Sequence, residues 1–334
     1  MRPFTSLELC AGAGGQALGL EQAGFDHLAL VEIEPLACDT LRLNRPNWQV
    51  VNQDVKAFSA TPWHGQVDLL AGGVPCPPFS IAGKQLGELD ERDLFPEAIR
   101  LAHECDPKAI MLENVRGLLS PKFKLYRRQI LHELRMLGYY CDWRLVQASD
   151  YGVSQLRPRA ILVGLKEDYF PYFNWPTPHQ VRPQTIGDLL FGAMREQGWQ
   201  QADAWREQAS GIAPTLVGGS KKHGGADLGP TRARKAWASL GVDGRGLANT
   251  PPAADFVGMP RLTLPMTALV QGFPKDWTFC GKKTPAYRQV GNAFPPPVAC
   301  AIGTAIKDAL SKRIIAEHEP NTNRSESQIA SLFS

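Results

Sequence analysis

The chain has no cysteine framework. Its seven cysteines, at positions 10, 38, 76, 105, 141, 280 and 300, are odd in number, and no two stand in a Cys-x-x-Cys pair. That pattern argues against a disulfide scaffold and against a zinc site, so no metal is expected. Long apolar runs are missing too: no uninterrupted stretch approaches membrane-spanning length, and no charged-then-apolar leader precedes the strand-like residues 6–9. A soluble, cytosolic protein without membrane contact is expected. Charge of one sign is also scarce, since 36 Lys and Arg face 33 Asp and Glu, a net +3. So small a sum cannot by itself indicate a nucleic-acid partner. No internal repeat is found.

What is present is enough for a globular protein. With 334 residues, 43% of them hydrophobic, the chain can build one large core and a smaller appended unit. The distribution of charge is more informative than its sum. Residues 171–284 carry 13 Lys and Arg against 8 Asp and Glu, whereas the remainder is slightly acidic. In the first half, short apolar runs alternate with amphipathic stretches, the pattern of a mainly parallel sheet flanked by helices. Strands are predicted near residues 6–9, 27–31, 49–52, 67–71, 109–112, 143–146 and 160–165. Helices are predicted near 16–23, 35–43, 96–104 and 125–137. From about Phe170 the sequence becomes rich in Gly, Pro and Trp without a clear period, which reads as a loop-rich second domain. Period returns at Val298, Ile302, Ile306, Leu310 and Ile314, one apolar helical face expected to pack back on the first domain. The stretch 317–334 is polar and aperiodic and reads as disordered.

Leu7-Glu8-Leu9 runs into Cys10-Ala11-Gly12-Ala13-Gly14-Gly15, a strand entering a glycine turn that opens a helix. Glycines there let a ligand approach the backbone. Glu32 closes the next strand about twenty residues on, where a carboxylate can hold ribose hydroxyls, and Asp54 ends the third, where it can accept from an adenine amino group. A nucleoside cofactor follows, but its kind does not: Gly12-x-Gly14-x-x-Ala17 with Glu32 equally satisfies the dinucleotide fingerprint. Any tight strand-to-helix turn also calls for glycine.

After the fourth strand comes Gly72-Gly73-Val74-Pro75-Cys76-Pro77-Pro78-Phe79-Ser80. Prolines there remove donors and restrict φ, so the segment is a rigid loop presenting a thiol where open α/β sheets place ligands. A small buried hydrophobe is an equally good reading of Cys76 on this segment alone. Glu113-Asn114-Val115 ends the fifth strand and brings a carboxyl to the same edge. Gln155-Leu156-Arg157-Pro158-Arg159 precedes the last strand with alternate side chains on one face. A cap, a surface ion pair or a solvated turn would account for each separately, but not for a thiol, a carboxyl and two guanidiniums in that order.

With these residues the chain resembles the DNA cytosine-5 methyltransferase family, of the bacterial modification type, over nearly all its length except about 175–260. The glycine turn, Glu32, Asp54, Pro75-Cys76, Glu113-Asn114-Val115, Gln155-x-Arg157-x-Arg159, Arg261-Leu262-Thr263, Gln271-Gly272-Phe273-Pro274 and Gln289-Val290-Gly291-Asn292-Ala293 follow the family's order and spacing. Two departures stand out. Cys10 replaces a usual aromatic that packs on the cofactor, which would weaken affinity, and Leu264-Pro265-Met266 lacks a usual Arg-Glu pair.

The resemblance implies a Rossmann-like S-adenosylmethionine-dependent fold with catalytic domain 1–174, a target-recognition domain 175–284 and a returning C-terminal helix 285–316. Cys76 would add to cytosine C6, Glu113 would contact N3 and the exocyclic amine, Arg159 would bind O2, and Arg157 would hold the loop or the backbone. S-adenosylmethionine would lie against Cys10, Ala11, Gly12, Gly14, Gly15, Glu32, Ile33, Asp54, Val55, Gly73, Pro75, Leu94 and Asn292. Duplex DNA, with the target base flipped out, would meet Ser80, Ala82, Lys84, Gln85 and Arg92 in and after the family's mobile lid. In the recognition segment it would meet Thr215, Lys221, Lys222, Arg232 and Arg234, with His223 and Lys235 as further candidates. Ala82 stands where the lid often inserts a small polar side chain, so gap filling would fall to the recognition segment. A monomer at the bacterial nucleoid, partnered by a restriction endonuclease, is the expected setting. A nicotinamide-dependent oxidoreductase leaves Cys76 and both arginines unexplained. A tRNA cytosine-5 methyltransferase would share the catalytic set, but its Cys-Phe-Thr signature is missing and the basic insert favours DNA. A non-catalytic DNA-binding relative would not need Cys76, Glu113 and Arg159 together.

Overall fold

The computed structural model describes residues 2–75, 93–180, 182–219 and 225–312. Its centre is a seven-stranded sheet. In chain order come β1 (Phe4–Leu9), α1 (Gly15–Ala23), β2 (Phe25–Glu32), α2 (Pro35–Asn44), β3 (Val50–Asn52), β4 (Leu69–Gly72), α3 (Phe95–Cys105), β5 (Ala109–Val115), α4 (Lys124–Met136), β6 (Tyr139–Gln147), β7 (Gln155–Leu156) and β8 (Pro158–Lys166). The strands lie in the order β3-β2-β1-β4-β5-β8-β6. The first five are parallel to one another, while β8 runs antiparallel to both β5 and β6. The predicted strands are all present, and the direction of β8 is the feature that periodicity does not report. It matters for the site, because an antiparallel strand brings its beginning to the edge where its neighbours end.

Side-chain alternation divides the core into two layers. Leu7 and Leu9 of β1, Ile110 and Leu112 of β5 and Leu162 of β8 pack under α3 and α4, with Phe95, Leu101, Ile130 and Leu134. Their sequence neighbours Met111, Ile161 and Val163 point the other way, toward α1 and α10 (Pro296–Leu310). The four-residue repeat of Val298, Ile302, Ile306 and Leu310 is the buried face of α10, as its period requires; Ile314 lies outside the described residues. Two glycines set how closely these helices approach. A Cβ on Gly19 would stand 2.3 Å from the Pro296 carbonyl oxygen, and one on Gly303 would stand 2.9 Å from Leu20.

The segment without clear period carries four short helices among long irregular stretches: α5 (Ile186–Met194), α6 (Ala202–Gln208), α7 (Thr231–Ser239) and α8 (Leu264–Gln271). A two-residue strand, β9 (Ala213–Pro214), pairs with β7, and α9 (Lys283–Asn292) leads into α10. These pieces share a third core of Ile186, Leu190, Trp199, Trp205, Trp237 and Met266, which continues into Tyr287 and Val290 of α9. Large aromatics rather than a regular period fill that core, which is why its helices are hard to read from sequence. Among the described residues no helix is long and apolar enough to cross a membrane.

Candidate active site

Strand order reverses between β1 and β4, and a crevice opens beyond the carboxyl ends of strands at such a switch point. A cavity of about 530 Å³ lies there, within the range of small-molecule and cofactor sites. The turn after β1 forms one wall. Gly12 has φ 55°, and a Cβ on it would meet nothing within 4 Å, so its backbone is open to a ligand. Gly15 is the reverse case: its Cβ would lie 2.2 Å from the Phe294 carbonyl oxygen, so glycine lets the turn seat against the start of α10. Cys10 adopts φ 52°, a left-handed conformation unusual for a side chain with a Cβ.

Two buried carboxyls, Glu32 and Glu8, face this wall. Glu32 accepts from the Gly12 and Glu34 amides at 2.7 and 2.8 Å, yet burial outweighs these bonds and raises its pKa above the ordinary value. Burial raises Glu8 well above the ordinary value too. The Cys10 thiol is pushed up to about 12, first by burial and then by Glu32, Asp54 and Glu8, which makes it a poor nucleophile.

At the next strand ends, Glu113 Oε1 pairs with Arg159 Nε at 2.7 Å, both side chains nearly closed to solvent. The antiparallel register explains the meeting. Arg159 lies opposite Val115, two residues beyond Glu113, so the two side chains emerge on one face of adjacent strands. Burial raises the Glu113 pKa, while Arg159 and then Arg157 work to lower it. Glu113 also lines the cavity, facing Gly73. Asn114 turns inward from the same strand and donates to the Val74 carbonyl at 2.7 Å, and Leu94 N–H donates to Pro75 at 3.1 Å. These bonds fix both ends of the Cys76 segment.

Arg157 behaves differently from Arg159. It is fully buried, donating to Gln155 Oε1 and to the carbonyls of Leu216, Gly291 and Ala293 at 3.3, 2.8, 2.8 and 3.0 Å. Burial lowers its pKa, Arg159 lowers it further, and Glu113 opposes both. Its guanidinium therefore braces two backbone segments, one at Leu216 and one at the end of α9.

Of the residues expected at a cofactor, Cys10, Ala11, Gly12, Gly15, Glu32, Gly73 and Asn292 line the cavity; Gly14, Ile33, Asp54, Val55, Pro75 and Leu94 are not among its described lining. Asp54 is exposed two residues past β3, and Ile33 is half exposed. Thr215 donates to the Leu156 carbonyl at 2.6 Å, and Arg232 and Arg234 lie on α7, Arg234 donating to Thr231. Cys76, Ser80, Ala82, Lys84, Gln85, Arg92, Lys221, Lys222 and His223 lie outside the described residues. Sequence reasoning missed Glu8, Gln16, Gly219 and Arg288, all of which line the cavity. Glu8 could have been found: a carboxyl on an otherwise apolar buried strand is a signal in itself.

A mixed sheet with a cofactor-sized crevice at its switch point and a buried carboxyl–guanidinium pair beside it defines an enzyme of the methyltransferase fold class. The model of the C-5 cytosine-specific DNA methylases matches residues 4–308, and the chain belongs to that family. Type II methyltransferase M.NgoMIV of Neisseria gonorrhoeae is 60% identical over 312 residues, spanning 92% of this chain and 99% of its own. Type II methyltransferase M.NaeI of Lentzea aerocolonigenes is 52% identical over 332 residues, spanning 96% and 80%. Among solved structures, a putative DNA modification methyltransferase of Escherichia coli superposes with a TM-score of 0.64 at 23% identity, covering 92% of this chain and 99% of its own. That likeness concerns the fold.

Proposed function

We propose that this enzyme methylates C5 of cytosine in duplex DNA, as a monomer, with S-adenosylmethionine as methyl donor, and serves as the modification half of a restriction–modification pair. The reading rests on the buried Glu113–Arg159 pair at the rim of the cavity, and the Type II names of its relatives support it. The cavity fits the cofactor chemically. Glu32 suits ribose hydroxyls, the open Gly12 allows close backbone approach, and Glu8 and Gln16 keep side-chain atoms without partners among the described residues. When bound, the cofactor supplies a methyl group made electrophilic by the attached sulfonium.

Cytosine C5 is a weak nucleophile, and this chain's residues correct that. The Cys76 thiolate adds to C6, which pushes electron density toward C5. Glu113, whose pKa burial raises against the pull of Arg159 and Arg157, hydrogen-bonds N3 and relieves the charge that develops on the ring. Arg159, oriented by Glu113, takes the base O2, and Arg157 holds the backbone around it. After methyl transfer the C5 proton passes to water and the C6–S bond breaks, which releases the Cys76 thiolate and restores the aromatic ring. The base must leave the helical stack first, at a cost of a few kcal/mol. Residues 175–284, with their positive excess, serve as the recognition segment and meet phosphates through Arg232, Arg234, Lys221 and Lys222, with Thr215 nearby.

Bisulfite sequencing of DNA from cells expressing the chain tests this directly. Protected cytosines within one short recurring sequence are expected. Random or absent protection would overturn the reading.

A further inference from the structure

Four of the buried side-chain atoms that lack a hydrogen-bond partner among the described residues belong to the lining of one cavity: Glu8 Oε2, Gln16 Nε2, Gln16 Oε1 and Arg288 Nε. Glu8 and Gln16 are 1% and 3% exposed, so water does not readily satisfy them. A buried amide with neither of its two groups bonded costs free energy unless a ligand completes it. Gln16 is the second residue of α1, and Glu8 is the penultimate residue of β1.

The sheet order indicates which part of a ligand comes here. Asp54 follows β3 and Glu32 ends β2 at one side, and Glu113 lies near the end of β5 at the other. A ligand with its adenosine toward β3 and β2 and its reacting sulfur toward β5 carries its third sulfur substituent past β1 and α1. In S-adenosylmethionine that substituent is an amino-acid arm, with one carboxylate and one ammonium. We propose that Gln16, together with Glu8, is the recognition element for this amino-acid arm, and that its amide is what makes the cavity prefer ligands that carry the arm over adenosine thioethers that lack it. The inference rests on the cofactor reading above. Gln16 Nε2 suits the carboxylate, which the amino end of α1 also favours, while Gln16 Oε1 and Glu8 Oε2 suit the ammonium. Arg288 adds a cation to the same lining.

The test compares two ligands that share the adenosine and differ in the arm: S-adenosylhomocysteine, which has it, and 5′-methylthioadenosine, which does not. Calorimetric titration of the full chain is made with wild type, Gln16→Met and Gln16→Leu. Loss of hydrogen bonds to charged groups should weaken S-adenosylhomocysteine binding about 10- to 100-fold, with methylthioadenosine binding unchanged. Because the amide has no partner among the described residues, either variant should unfold at the wild-type temperature or above, yet gain less from saturating S-adenosylhomocysteine. Equal weakening of both ligands, unchanged affinity for both, or a free protein that melts well below wild type would overturn the proposal. Failure of wild type to bind either ligand would instead remove the cofactor reading.

Discussion

At the scale of single residues, the proposed chemistry falls to the Cys76 thiol and the Glu113 carboxyl. Glu113 has a pKa raised by burial, so its protonated, donating form survives to higher pH than an ordinary carboxyl would allow. Sign follows directly: kcat/KM should fall as pH rises through that raised value, because deprotonation removes the hydrogen bond to N3. Glu113→Gln, whose amide donates at every pH, should lose that limb in a pH–rate profile. It should also lower kcat about 10²- to 10⁴-fold, the usual worth of acid–base help, because an amide cannot share its proton. Cys76 is tested by a substrate that cannot complete the reaction. With 5-fluorocytosine at the target base, fluorine cannot leave as a cation, so a covalent protein–DNA adduct should accumulate and survive denaturing electrophoresis. It should require S-adenosylmethionine and vanish in Cys76→Ser, whose hydroxyl is far less nucleophilic near neutral pH. Adducts mapping to another cysteine would assign the nucleophile elsewhere, though Cys10, with its pKa near 12, is poorly suited to that role.

At the scale of elements, α1 and α10 are held together by what their glycines leave out. Adding a side chain at Gly19 forces it against the Pro296 carbonyl and Ala299, so Gly19→Ala should destabilise the protein by about 1–3 kcal/mol in urea unfolding, despite alanine's better helix propensity. Gly192, inside α5, has nothing within 4 Å of its missing Cβ. There the same substitution should stabilise by about 0.5–1 kcal/mol. These opposite outcomes separate packing from propensity. The elements themselves were legible wherever apolar residues recur with one period: the seven strands, α1 to α4, and the face of α10. Local pattern does not encode strand direction, so the reversal of β8 was not legible, although it is what carries Arg159 to Glu113. The site was read from the joint order of motifs, and Glu32 and Asn292, which it assigned to the cofactor, line the cavity. Gln16 was not legible as part of it, because a polar residue in the first turn of a helix usually faces solvent and only tertiary packing buries this one.

At the scale of the whole molecule, the third core joins the irregular half to the sheet through α9, and Arg157 is among the side chains that cross the junction. Arg157 binds the carbonyl of Leu216, whose segment continues through the cavity-lining Gly219 toward the basic residues, and the carbonyls of Gly291 and Ala293, which flank Asn292 on the cavity wall. Gly218 and Gly291 meet there backbone to backbone, with no room for a Cβ on either. Replacing Arg157 by Lys keeps charge but removes the fork that reaches all three carbonyls. The ratio of cofactor Kd measured with and without DNA should differ from one in wild type and collapse toward one in Arg157→Lys, as read by calorimetry. Whatever factor DNA imposes on the affinity for cofactor, cofactor must impose on the affinity for DNA, and on the proposed reading the two backbone segments that Arg157 ties together are where that factor is set.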